Sequence, residues 1–226
     1  MGVPTGPAPI ILWEKRRRES VQMAKGKIKK HTSVKDAVFL NVPYDAQFSE
    51  LFSAYICGLC AFGLTPRATL ELPVETRLDR IVGLIEACRY SIHDLSRTTL
   101  DPGPPETPRF NMPFELGLAV SHARRRSSHK WFVFESIAYR LQRSLSDLNG
   151  TDPYIHDGTV QGVFRELAKA FVRAKRQPTV PQMQRIYDET KSEASRIHEN
   201  AGSSESFNAR VFQEMVIFAT SLARGI

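Results

Sequence analysis

Between residues 90 and 119 a few polar groups stand among apolar ones in an order that suits chemistry. The run Tyr90-Ser91-Ile92-His93-Asp94-Leu95-Ser96 reads as a strand that finishes in polar side chains. After a loop, Asn111-Met112-Pro113-Phe114-Glu115-Leu116-Gly117-Leu118-Ala119 reads as a helix start in which Glu115 is the one carboxylate. Ligands of open α/β sheets bind beyond the carboxyl ends of the strands, which makes Asp94, Ser96 and Glu115 candidates. Glu115 has two readings. As a structural group it sits in the first helical turn behind an Asn111 N-cap and Pro113, where the helix dipole favours an acid by roughly 0.3–1 kcal/mol. As a functional group it stands at the mouth of a partly dry crevice, where a carboxylate needs a partner, and Arg109 or a ligand can supply one.

The elements that must position these residues follow from periodicity. Residues 37–42 form a short apolar run fit for a central parallel strand. The spacing predicts a helix over 47–62 ended by Gly63, a strand over 66–71, a helix over 75–88 and a strand over 89–95. A Pro-rich loop, 96–110, is long enough to be functional. The helix from 112 runs to Arg124-Arg125-Arg126, followed by a strand at 130–135, a helix at 137–147, a short strand at 152–156 and a helix at 159–175. Strands alternating with helices predict an α/β fold: a flavodoxin-like open sheet of about five mainly parallel strands flanked by helices. Pro178 and Pro181 mark a boundary to a C-terminal helical appendage, with helices over 181–199 and 207–224. The expected organisation is a disordered basic leader (1–34), an α/β domain (35–176) and a helical hairpin (177–226). The apolar stripe of 207–224 must bury either against the sheet domain or in a homo-oligomer interface.

Composition narrows the partners. The chain has 226 residues and a net charge of +7, with 42% hydrophobic and 24% charged residues, ordinary for a soluble globular protein. Residues 1–36 hold nine Lys/Arg against three acids, leaving 37–226 almost neutral at +1 with no general basic face. Nucleic-acid or anionic-surface contact is therefore expected of the leader alone, and only weakly. Met23, followed by Ala-Lys-Gly-Lys, reads as an alternative start. No apolar run suits a signal peptide or a membrane span, and three cysteines, an odd number, fit a reducing cytoplasm. Cys57-Gly-Leu-Cys60 has a redox spacing but lies inside a helical pattern without a second half-site, so buried core thiols are the expected state and no metal is expected.

Val38-Phe39-Leu40-Asn41-Val42-Pro43-Tyr44-Asp45, the Gly63–Glu71 segment and Met112-Pro113-Phe114-Glu115-Leu116-Gly117-Leu118-Ala119 together resemble the TIR-like and nucleoside 2-deoxyribosyltransferase-like superfamily. The resemblance spans about 37–135 and implies a flavodoxin-like sheet with an active-site glutamate early in the helix after a strand and loop. It assigns that role to Glu115, as nucleophile in one branch and in support of nicotinamide–ribose cleavage in the other. Arg109-Phe110-Asn111 departs from the turn that usually precedes the glutamate in the deoxyribosyltransferase branch.

Cleaving an N-glycosidic bond builds positive charge on the ribose, which a fixed carboxylate stabilises or captures. The nicotinamide of NAD leaves without a proton, so one acid suffices, in contrast to the paired carboxylates of O-glycosidases. The implied partner is a nucleotide or nucleoside, NAD being a candidate substrate and no cofactor being required. On this reading Asp94 bonds ribose hydroxyls or caps its own turn. Tyr44, beside Asp45, stacks on the ligand or packs against the first strand. Arg97 and Arg109 hold phosphates or stay solvated, and Asp45, Asn111 and Ser96 complete the substrate-binding set.

Overall fold

Alternating side-chain parity along three strands builds two separate apolar layers in the computed structural model, which describes residues 34–71, 76–98, 100–101, 107–108 and 110–226. The expected leader, the Met23 start and Arg109 lie outside the described residues. The central strands are β1 (Val34–Asn41), β2 (Thr65–Arg67) and β3 (Cys88–Asp94). Two-residue strands β4 (Leu100–Asp101) and β5 (Thr107–Pro108) follow, then β6 (Lys130–Glu135) and β7 (Tyr154–Ile155). Five of them form a sheet in the order β2-β1-β3-β6-β7, every pair parallel. Taken in chain order this is the flavodoxin-like arrangement, with its topological switch point between β1 and β3. The loop after β3, expected to be irregular, carries its own antiparallel ladder of β4 with β5.

Val38, Leu40, Ile92 and Phe134 point to the face covered by α1 (Ser49–Ala61), α5 (Val160–Ala170), α6 (Val180–Ser192) and α8 (Ala209–Ala223). Ala37, Phe39 and Val133, of opposite parity, face α2 (Arg77–Ala87) and α3 (Asn111–Arg125). Helix α4 (Arg140–Ser144) follows β6, and α7 (Ala194–Ala201) lies between α6 and α8. The helix expected over 181–199 is broken at Glu193, which serves as C-cap of one helix and N-cap of the next. The turn after α1 is a Schellman motif: Leu64 N–H donates to Leu59 O and Gly63 N–H to Cys60 O, with Gly63 at φ +73°.

The C-terminal helices are present, but they share the main core. Phe212, Ala219 and Ala223 of α8 are buried with Phe52 and Leu59 of α1, and residues 33–226 form one compact unit. The boundary expected at 176/177 thus separates two runs of sequence and not two cores. The stripe of 207–224 is covered largely within the chain, because α1 is apolar nearly all round and needs helices on its outer side.

Two glycines test this packing. A Cβ on Gly162 in α5 would fall 1.8 Å from the His156 carbonyl oxygen, whereas one on Gly83 in α2 would meet nothing within 4 Å. Gly162→Ala should lower unfolding free energy in urea by about 2–3 kcal/mol. Gly83→Ala should be neutral or raise it by up to about 1 kcal/mol. Equal effects would contradict the packing of α5 on the β7 turn.

Candidate active site at the carboxyl edge of the sheet

Helix α3 begins one residue earlier than its sequence signals suggest, and this changes the site. Phe110 is the N-cap residue without a side-chain cap, and Asn111 is already helical, exposed and lining a cleft. Glu115 is therefore the fifth residue of the helix and not in its first turn, where the dipole acts most strongly. The inward stripe of α3 is Met112, Glu115, Leu116, Ala119 and His122, so the carboxylate occupies a core position while Phe114 is 56% exposed. Glu115 is only 3% exposed, and its cationic partner is Arg77, with Nη2 3.8 Å from Oε1. Burial pushes the Glu115 carboxyl up to about 7, against the pull of the Arg77 guanidinium. Arg77 opens α2 behind a Thr76 cap and was not legible as a site residue; a basic residue just after an N-cap carries no signal of its partner.

Arg77, the partner of Glu115, lines a cleft of about 310 Å³, whose lining does not include Glu115 itself. Pro43 and Met112 form apolar parts of its wall, and Tyr44, Arg77, Arg97 and Asn111 bring polar groups. It lies beyond the ends of β1 and β3, at the switch point. Arg97 is held from below: Nε bonds Asp45 Oδ2 at 3.2 Å and Nη1 bonds Gln47 Oε1 at 2.7 Å. The other Asp45 oxygen caps the short helix Ala46–Phe48 by accepting from Phe48 N–H. Tyr44 packs its ring between Phe52 and Phe207, at 5.8 and 5.5 Å between centroids, and its hydroxyl accepts from Thr69 Oγ1. Burial raises that phenol to about 12.

Asn41 ties the floor of the cleft to α3. Its Nδ2 donates to His93 Nδ1 at 2.9 Å and to the Met112 carbonyl at 3.2 Å. The Oδ1 atom is buried without a hydrogen-bond partner among the described residues. Such an open acceptor costs about 1–3 kcal/mol.

Asp94 and Ser96 do not join Glu115. Asp94 has the opposite parity to His93, so it lies on the α1 face of the sheet and is fully buried. Oδ2 accepts from the Tyr55 hydroxyl at 2.7 Å and from His156 Nε2 at 3.1 Å, and Oδ1 accepts from Ser96 N–H at 2.9 Å. Of the two readings of Asp94 the structure shows the turn cap, through Ser96 N–H, and three protein donors occupy the carboxylate. Ser96, Asp94 and His156 have the composition of a catalytic triad but not its wiring. Gly158 N–H donates to His156 Nδ1, so the ring proton sits on Nε2, the atom that faces both Asp94 and Ser96 Oγ. No ring nitrogen is left to take a proton from the serine. The ring's role is to lock the end of β3 to the β7 turn.

Cys57, Cys60 and Cys88 are free and buried, and burial lifts the Cys60 thiol to about 11 and Cys88 to about 12. Among the described residues no group of three His, Cys, Asp or Glu could hold a metal ion, and no helix is long and apolar enough to cross a membrane. No family model matches the chain, and comparison with curated proteins and with solved structures likewise gave no match.

Two predictions follow from burial. The folded Glu115 carboxyl titrates above its unfolded counterpart, so the native state binds the extra proton and loses stability as pH rises from about 4.5 to about 7. Glu115→Gln should abolish that loss, its stability relative to wild type growing over this window by up to about 3 kcal/mol and levelling off above it; a difference independent of pH would place the carboxylate in water. Asp94→Asn should cost about 2–4 kcal/mol in urea denaturation, because an amide N–H₂ must then face a donor. An unchanged midpoint would release Asp94 for contact with a ligand.

Proposed function

We propose that this protein cleaves or transfers the N-glycosidic bond of NAD or a related nucleotide or nucleoside, with Glu115 as the carboxylate that stabilises or captures the ribosyl cation. The observation that carries the reading is a buried glutamate, poorly neutralised at 3.8 Å by one exposed arginine that itself lines a polar cleft at the switch point. A carboxylate in such surroundings gains most when positive charge develops next to it, because little water competes for it. The sugar carbon would lie against Glu115. Arg97, braced by Asp45 and Gln47, and Arg77 would take phosphate oxygens, and Asn111 and Tyr44 would offer hydrogen bonds at the rim. This extends the resemblance to the TIR-like and deoxyribosyltransferase-like superfamily, and with it a role in bacterial defence or stress signalling. Three free thiols suit a cytoplasmic setting, to which we assign the protein.

One contact favours a second reading, a nucleotide sensor without catalysis. The Tyr44 ring that borders the cleft packs on Phe207, which leads into α8, so occupancy of the cleft can be felt by the C-terminal helices.

The test is base release from NAD, NADP, nucleosides and deoxynucleosides, followed by chromatography. The rate on a cationic leaving group should rise with pH through about 7 as Glu115 ionises. Glu115→Gln should lower it at least about a hundredfold while ligand binding persists. Turnover equal to wild type in that variant would end the enzyme reading. Thermal stabilisation by one nucleotide without release of its base, in both forms, would establish the sensor.

A further inference from the structure

The amino edge of the sheet holds a second cavity, of about 500 Å³, unrelated to Glu115. Strands in this sheet are parallel, and β3 runs from Cys88 at this edge to Asp94 at the other, so the two sites lie about 20 Å apart. Three cationic segments of different origin meet here: Arg89 at the start of β3, Arg173 with Lys175 and Arg176 in the turn after α5, and Arg224 at the end of α8. Asp36 is the one acid on the lining. None of the five cations forms an ion pair among the described residues.

Gathering five like charges around one concavity costs repulsion that salt only partly screens. Two of the heads are nevertheless fixed. Arg176 donates from Nη1 to the Ala223 carbonyl, and the Arg89 guanidinium lies 5.1 Å from the centroid of the Tyr90 ring. Tyr90 in turn rests edge-on against Phe171, which also packs on Phe62. The cavity thus has an aromatic floor and a rim of preset cationic forks. Four of the five cations are arginines, whose planar donors match adjacent phosphate oxygens.

We propose that this cavity binds a small polyanion built of linked phosphates, either inorganic or as the tail of a nucleotide. The charge on the lining, five cations against one acid, matches two or three phosphates in a row. Without these five cations the rest of 37–226 carries a net charge of about −4, so the cluster is not part of a general basic excess of the kind a nucleic-acid duplex would need.

The experiment is calorimetric titration of the full chain with tripolyphosphate and with a nucleoside triphosphate at fixed ionic strength. Saturable binding is expected. It should weaken at least about tenfold in the double variant Arg89→Glu with Arg173→Glu, and likewise in Arg224→Ser if the double variant is unstable. Arg185→Ser, on α6 and on the lining of neither cavity, should leave it unchanged. Similar affinity for both phosphate ligands identifies the phosphate chain as the recognised group, and tighter binding of the nucleotide adds the aromatic floor to it. The proposal is overturned by unchanged affinity in the charge-reversed chain, by an equal loss of binding in Arg185→Ser, by heats that follow ionic strength without saturation, or by tighter capture of a single-stranded oligonucleotide through the same residues.

Discussion

Helices cover both faces of the sheet, so the polar groups at the carboxyl ends of β1 and β3 must find their partners inside the protein. Two networks meet this constraint, one on each face. Under α3, His129 Nδ1 donates to the Cys88 carbonyl, which leaves Nε2 to accept from the Ser91 hydroxyl. The Ser91 oxygen accepts from His93 Nε2, and His93 Nδ1 accepts from the Asn41 amide. The chain closes in one direction and only with neutral rings; burial holds His93 down at about 3, and lowers His129 as well. Its last link is the Asn41 bond to the Met112 carbonyl, which fixes the start of α3 and, one turn on, the backbone that carries Glu115. On the other face Asp94 gathers Tyr55, His156 and Ser96 and ties β3 to β7.

A similar brace holds the next strand. Glu135, at the end of β6, is 1% exposed and pairs with Arg140, whose Nη2 also reaches the carbonyls of Leu95 and Ser96. Tyr139, just before it, takes φ 64°, a conformation that disfavours a side chain, and is 77% exposed. The loops beyond β1, β3 and β6 are therefore anchored by buried polar bonds, while Phe110, Phe114, Ile137 and Tyr139 remain outside. Rigid support beneath and apolar exposure above is the opposite of what stability alone selects.

Much of the fold was legible because it rests on local rules. Short apolar runs gave the strands, Gly63 ended α1, and Lys130–Glu135 matches its expected strand. The isolation of Glu115 among apolar residues was equally legible, since burial of a helical stripe depends on spacing alone. What failed depended on parity and on distant partners. Helix α3 starts one residue earlier than expected, so Phe110 and not Asn111 stands at its cap. The parity of β3 sent His93 and Asp94 to opposite faces, so adjacent polar residues serve different networks. Arg77 lies 38 positions from Glu115 and His156 lies 62 from Asp94, and nothing local links either pair. The cations of the amino edge are spread over 89, 173, 175, 176 and 224, which reads as neutral average charge until the chain is folded.

Charge is thus sorted more than it is accumulated. At the carboxyl edge arginines meet carboxylates: Arg77 with Glu115, Arg97 with Asp45, Arg140 with Glu135. Of these, Arg140 donates to both oxygens of Glu135, and Arg97 donates to Asp45 and to Gln47. Arg77 and Glu115 differ, since the arginine is 58% exposed at its side chain and stands 3.8 Å off. A buried carboxylate with one distant, hydrated counter-charge keeps most of its desolvation cost. Glutamine or leucine at 115 would spare the helix that cost, and the neighbouring Met112 and Leu116 show that the layer accepts apolar side chains. The destabilising group is also the one whose counter-charge among the described residues, Arg77, lines the cleft at the switch point, and perturbed carboxylates concentrate in functional sites.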